Sequence, residues 1–225
     1  MKRVWIGIAL VASAAIGCSL ANLPSQVLGD SGTGGQAGAA EEGQVLFEDD
    51  FSDPGSGWDI VEGVTDYHEG SYRIFAAEPT HDYWANPGRH FGGDVRIDVD
   101  ATKAGGPEDN NFGVLCRYSQ EDGFNYYSFQ ISSDGYAWIT RVDNGEAVGI
   151  SSEQMQSVDF IVPGEATNHL TVYCTGDQLS LWVNGENVAS ATDSTYSDGD
   201  IGLLAGTYET VGTDIRFDNL TVQAD

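Results

Sequence analysis

Between Asn111 and Val142 the chain reads NFGVLCRYSQEDGFNYYSFQISSDGYAWITRV, and Arg117, Tyr126, Gln130, Tyr136 and Trp138 recur there among apolar residues. Tyr83 and Trp84 stand apart in HDYWAN. Flat rings mixed with a guanidinium and an amide suit the binding of a sugar. The C–H face of a pyranose stacks on an aromatic ring, and its hydroxyls are met by polar side chains. These seven residues are the candidate ligand site, with the first five as a floor and Tyr83 and Trp84 as a wall.

Signs of catalysis are weaker. In DVRIDVD, the carboxylates Asp94, Asp98 and Asp100 share one strand face with Arg96, an alternation that a strand with one wet face already explains. His68, His81, His90 and His169 fall in no motif, and the chain has no G-x-S-x-G, no zinc spacing of His and Cys and no phosphate-binding glycine loop. An enzymatic alternative would need Asp98, Asp100 or His90 to converge on the aromatic face.

The elements that must position these residues are strands. The central stretch predicts strands at 112–118, 124–131 and 136–142, joined by EDG and SDG turns that each end in the Asp-Gly pair hairpins favour. Alternation then puts Val114, Cys116, Tyr127, Phe129, Ile131, Ala137 and Ile139 on one face, the core. Leu115, Arg117, Tyr126, Ser128, Gln130, Tyr136, Trp138 and Thr140 fall on the other. Further strands are expected at 45–51, 58–62, 66–75, 82–85, 93–102, 147–150, 169–175, 178–183, 186–191, 200–206 and 214–222, with Asn184-Gly185 a hairpin turn. Such spacing, without 3.6-residue periodicity, predicts an all-β, two-sheet antiparallel sandwich or barrel over residues 45–225.

Residues 1–17 stand outside that domain. Lys2 and Arg3 precede an apolar run, Val4 to Ile16, and small residues lead to Cys18, the layout of an export signal too short for a confident span. The AIGC ending resembles the lipobox of bacterial lipoproteins, which implies a lipid on Cys18 and a place on the cell envelope facing away from the cytoplasm. Residues 18–44 are rich in Gly, Ala, Ser and Gln and read as a flexible tether. Cys116 and Cys174 then remain, open to two readings: a disulfide in an exported protein, or two buried thiols. The formal charge of −26 makes nucleic acid and anionic headgroups poor partners for the folded domain. The expected partners are a carbohydrate ligand on the aromatic face, the membrane through the lipid on Cys18 and, as an alternative, another protein.

The segments FEDDFSDPGSGW, GVLCRYSQEDGFNYYSFQI, LSLWVNGENVA and GDIGLLAGTYETVGTDIRFDNLTV follow one another in an order that resembles concanavalin A-like jelly rolls. This is the superfamily of laminin-G-like modules, legume-type lectins and laminarinase-type glucanases, and the nearest flavour is the bacterial 3-keto-disaccharide hydrolase-like domain. The resemblance implies two antiparallel sheets face to face, first and last strands paired, and a concave outer surface that often binds carbohydrate. It also implies a structural Ca²⁺ where those strands meet, at Asp50 and Asp218, unless these form turns; the loop GGPEDNN, residues 105–111, is a second calcium candidate. The glutamate pair of the glucanases, E-x-D-x-E, is missing. The expected function is therefore non-catalytic glycan binding, with a glycoside or keto-sugar hydrolase and a structural or adhesive surface protein as alternatives. The sequon at Asn219 is read as chance.

Overall fold

The computed structural model describes residues 41–121 and 123–225, so the leader, Cys18 and residues 19–40 of the tether lie outside the described residues. The described chain folds into fifteen strands. They are β1 (Val45–Asp49), β2 (Thr65–His68), β3 (Ser71–Ala76), β4 (His81–Ala85), β5 (Val95–Gly105), β6 (Asn110–Ser119), β7 (Asn125–Ile131) and β8 (Tyr136–Asp143). Then come β9 (Glu146–Gly149), β10 (Gln156–Ser157), β11 (Thr167–Thr175), β12 (Gln178–Val183), β13 (Glu186–Thr192), β14 (Asp200–Thr207) and β15 (Thr213–Ala224).

Two antiparallel sheets result. The eight-stranded sheet runs β13-β12-β11-β5-β15-β3-β2, with β1 also on β15, so the first and last strands pair as expected. The seven-stranded sheet runs β10-β8-β7-β6-β14-β4, with β9 also on β8, and contains the expected three-strand meander. Between the sheets lies a dry core in which every residue assigned to the inner face of β6, β7 and β8 is found. Alternation alone was enough to orient those strands.

Two expected strands are different. Residues 58–62 form turns and one isolated bridge, Val61 to Thr65, because Trp58 is spent as a core anchor whose Nε1 donates to Asp49 Oδ2 at 3.0 Å. The single strand expected at 66–75 is a hairpin, β2 and β3, turning at Glu69 (φ 53°) and Gly70 (φ 80°). Both central residues take the left-handed conformation of a two-residue turn, but Glu-Gly lacks the usual Asn or Asp marker.

Two neighbouring residues of β6 tie the sheets together. Cys116 is bonded to Cys174 of β11 (S–S 2.02 Å), which settles the cysteine alternatives in favour of the disulfide. Arg117 sits at a bulge, with φ 52° and a register shift between Cys116 and Ser119. Its guanidinium turns inward, donating to the carbonyls of Gly93 (3.1 Å), Gly176 (2.8 Å), Tyr196 (2.7 Å) and Cys174 (3.3 Å) and to Asp94 Oδ1 (3.1 Å). Replacing Arg117 by Met strands these buried acceptors and is expected to cost at least about 3 kcal/mol. The double variant Cys116→Ala, Cys174→Ala opens a loop of 58 residues, worth about 4 kcal/mol by chain entropy. Urea unfolding of both variants against the native chain measures the two terms separately.

Candidate functional site

The outer face of the seven-stranded sheet carries one continuous cross-strand row. Register places Trp84 of β4 beside Leu204 of β14, Leu204 beside Gly113 of β6, Gly113 beside Gln130 of β7, and Gln130 beside Trp138 of β8. An indole therefore stands at each end, with an amide and a glycine between. At about 4.8 Å per strand the row spans roughly 19 Å. Although this face looks away from the core, Leu115, Tyr126, Ser128, Gln130, Thr140 and Val142 are almost fully hidden on it. The sheet has to curl around them to do so.

One end of the face is aromatic. Leu115, Tyr118, Tyr126, Val142 and Leu204 form a second apolar cluster, joined by Trp84, Phe124 and Ala147. Ring centroids of Trp84 lie 5.3 Å from Phe124 and 6.2 Å from Tyr126, and Tyr118 lies 5.8 Å from Tyr126. Trp84 Nε1 donates to the Tyr118 hydroxyl at 3.2 Å, and Gln120 Nε2 donates to the same oxygen. Burial, with Asp82 and Tyr118 adding, pushes the Tyr126 phenol well above its ordinary range, so it stays neutral.

Beyond Tyr118 opens a pocket of about 770 Å³ whose lining includes Asn86, His90, Gln120, Asn125, Asp198 and Asp200. His90 reaches Asp198 Oδ1 with Nε2 (3.2 Å) and Asp200 Oδ1 with Nδ1 (3.4 Å). Burial raises the Asp200 pKa; His90 opposes the rise and Asp198 reinforces it. The wall at Thr195 and Tyr196 is pinned by Asp193, which accepts from Tyr127 Oη (2.6 Å), Arg141 (2.6 Å) and the Thr195 amide (2.8 Å).

The opposite end is polar. Asp82, Gly206 and Asn111 lie side by side on β4, β14 and β6, and Asn111 Nδ2 donates to Asp82 Oδ1 at 3.0 Å. Gln130 Nε2 donates to Ser128 Oγ (2.7 Å), which shares a bond with Thr140 Oγ1 (2.6 Å).

Of the seven residues expected at the site, Tyr126, Gln130, Tyr136, Trp138 and Trp84 lie on β4, β7 and β8 of the outer-face lattice. Tyr136 is 38% exposed; Trp84 and Trp138 are half-buried. Trp138 Nε1 donates to Ser152 O at 2.8 Å. Two expectations need correction. Arg117 leaves the face because its bulge inserts an extra residue, and Tyr118 takes the outward place. Tyr83 cannot share a wall with Trp84, since consecutive strand residues face opposite ways; it packs against the core and stacks on His81 at 5.8 Å. Tyr118, Phe124, Asn86, Asp82 and Asn111 were not singled out. The first two became visible only through the bulge and the turn.

Asp98 and Asp100 do not approach this face. They lie on the outside of the eight-stranded sheet, where Asp98 binds Arg96 (2.8 Å) and Thr171 (2.7 Å), and Asp100 binds His169 (2.7 Å) and Asn219 (2.9 Å). Asp50 and Asp218, the calcium candidates, each make local hydrogen bonds. Asp50 Oδ1 accepts the amide and hydroxyl of Ser52 and Asp218 Oδ1 the amide of Asn219, and among the described residues no three His, Cys, Asp or Glu side chains group to hold a metal.

The model of the 3-keto-alpha-glucoside-1,2-lyase-like domain matches residues 44–223. The chain belongs to this family. No curated protein matches the sequence. Among solved structures, carbohydrate binding module CBM66 from Bacillus subtilis is similar at 19% identity and TM-score 0.59, over 75% of this chain and 96% of that one. The Bacillus licheniformis β-glucanase is similar at 11% identity and TM-score 0.60, over 82% of this chain and all (100%) of that one. A Bacillus subtilis protein of unknown function with a galectin-like fold gives 10% and 0.61, over 83% and 98%. These likenesses fix the fold as a concanavalin A-like jelly roll.

The pocket wall has an acid-sensitive pin. Burial raises the Asp193 pKa, but the donors Tyr127, Thr195 and Arg141 outweigh it and hold the carboxyl at about 2, below its ordinary 3.8. Its contribution to stability is thus complete above pH about 4 and is lost as pH falls toward 2. Asp193→Asn is expected to lower the melting temperature at pH 7 and to flatten its fall between pH 4 and 2, read by calorimetry.

Proposed function

We propose that this chain is a lipid-tethered surface protein whose jelly roll binds a glycan along the row from Trp84 to Trp138 without transforming it. The carrying observation is that row: two indoles at opposite ends of one curled face, with Gln130 and a glycine between them. A saccharide laid across the strands stacks at both ends and meets hydroxyl partners in the middle. Family membership and the fold shared with a carbohydrate binding module support a sugar as the ligand. The leader and Cys18 support the tether.

A second reading rests on His90. Set between Asp198 and Asp200 in the pocket, it has the surroundings of a general base, and the family description names a lyase acting on a 3-keto glucoside. Proton abstraction beside a ketone is the step such a base would take.

The test is a polysaccharide array with the purified full chain, followed by product analysis on whatever binds. Binding without products is expected. Trp84→Ala and Trp138→Ala should each lower affinity about tenfold, the worth of one stacked ring. Release of products that stops in His90→Ala would move the assignment to the enzyme, and silence across the array would end the glycan reading.

A further inference from the structure

The chain enters the domain at one end of the sandwich. Gly43 N donates to Ala224 O at 2.7 Å, and Ala224 pairs with Val95, the first residue of β5. The 11 residues of β5 then run about 33 Å to Gly105. At that far end several loops gather. A Cβ on Gly106 would fall 2.2 Å from Gly212 O, so the loops after β5 and β14 touch. Asn110 Nδ2 donates to Pro107 O (2.7 Å) and Ser133 Oγ (2.9 Å), Gly164 N to Ser133 O (3.0 Å), and Asn184 Nδ2 to Phe160 O (2.9 Å).

Phe160 and Val162 stand out from this end, 49% and 50% exposed, while Ile161 between them is buried in the core. Their backbone is fixed. Asn168, almost fully buried, accepts from Val162 N (2.8 Å) and donates to Val162 O (3.0 Å), and Asn184 donates to Asn168 Oδ1 (2.9 Å) as well as to Phe160. The two apolar side chains are thereby held out in water.

Charge at this end has one sign. Residues 105–109, 132–135, 158–166, 184–185 and 207–212 include Glu108, Asp109, Asp134, Asp159, Glu165 and Glu209, all exposed, and no Lys, Arg or His. Burial raises the Asp109 pKa, and Asp134 and Glu209, from two other loops, add to the rise, so these carboxylates act on one another. None of these residues lines the pocket beyond Tyr118.

We propose that this end of the sandwich is a docking surface for a second protein, whose apolar hollow receives Phe160 and Val162 and whose rim carries Lys or Arg. Charge complementarity selects that occupant. A second copy of this chain would set the same carboxylates against these, and anionic headgroups would be repelled. An aromatic anchor on a backbone already fixed loses little freedom on binding. The distance from the N-terminal entry leaves the surface clear when that segment is anchored as proposed above.

The test is a random peptide library displayed on phage, panned on the purified full chain and counter-panned on Phe160→Ser. Recovered peptides are expected to place Lys or Arg beside an aromatic or aliphatic residue and to weaken in high salt. Measured one by one, they should lose about tenfold or more in affinity on Phe160→Ser, with the melting temperature unchanged. The double variant Glu108→Lys, Glu165→Lys keeps the apolar pair and should weaken them likewise, and it decides the matter if Phe160→Ser fails to fold. Peptides without basic residues, peptides that bind both variants as well as the native chain, or no enrichment overturn the proposal. So does self-association of the native chain, or its adsorption to phosphatidylcholine vesicles, where Phe160→Ser abolishes it.

Discussion

A guanidinium buried between two β-sheets has to find an acceptor for nearly every N–H, or its desolvation is uncompensated. Arg117 finds four carbonyls and a carboxylate, drawn from the approach to β5, from the turn after β11 and from the segment before β14. Those three pieces are thereby fixed to β6, and the disulfide one residue earlier fixes β6 to β11. The end of the sandwich that carries the pocket is held by both ties and by the Asp193 bonds to Tyr127 and Arg141. Tyr196, whose carbonyl is among those acceptors, also lines the pocket, so the wall of the site and the joint between the sheets share one residue.

The same bulge shapes the outer face. With Arg117 turned in, the ring of Tyr118 turns out, where its hydroxyl receives Trp84 and Gln120. A cation on that face would have favoured anions; a neutral phenol does not. The indoles are in turn held by the protein, Trp84 through Tyr118 and Trp138 through Ser152. Rings fixed in this way would lose little freedom on meeting a ligand.

Much of this was legible in the chain because strand order and facing follow from local rules. Asp-Gly and Asn-Gly turns located the hairpins, and period-two alternation sorted Phe129, Ile131 and Ile139 inward and Gln130 and Trp138 outward. What was not legible depended on residues that break those rules. A positive φ at Arg117 shifts the alternation by one, and nothing in CRYS announces it. Glu69-Gly70 makes a turn without the expected polar first residue. The Asn111–Asp82 contact joins residues 29 apart through a glycine on a third strand, and only the sheet order brings those three together.

Fold alone leaves binding and catalysis open, since jelly rolls carry both. The titratable groups are unevenly placed. Asp98 and Asp100, the carboxylates most suggestive in sequence, are on the far sheet and fully engaged with Arg96, Thr171, His169 and Asn219. His90 and its two carboxylates stand in the pocket beyond Tyr118, while the Trp84–Trp138 row crosses the outer face of the seven-stranded sheet. On the proposed reading, a sugar held along the row would stack on the two indoles and meet the amide of Gln130 between them. For the family chemistry to occur on this chain, the same ligand would have to extend past Tyr118 to His90. The aromatic end of the face, where Trp84 donates to Tyr118, is what separates the row from the pocket that holds His90.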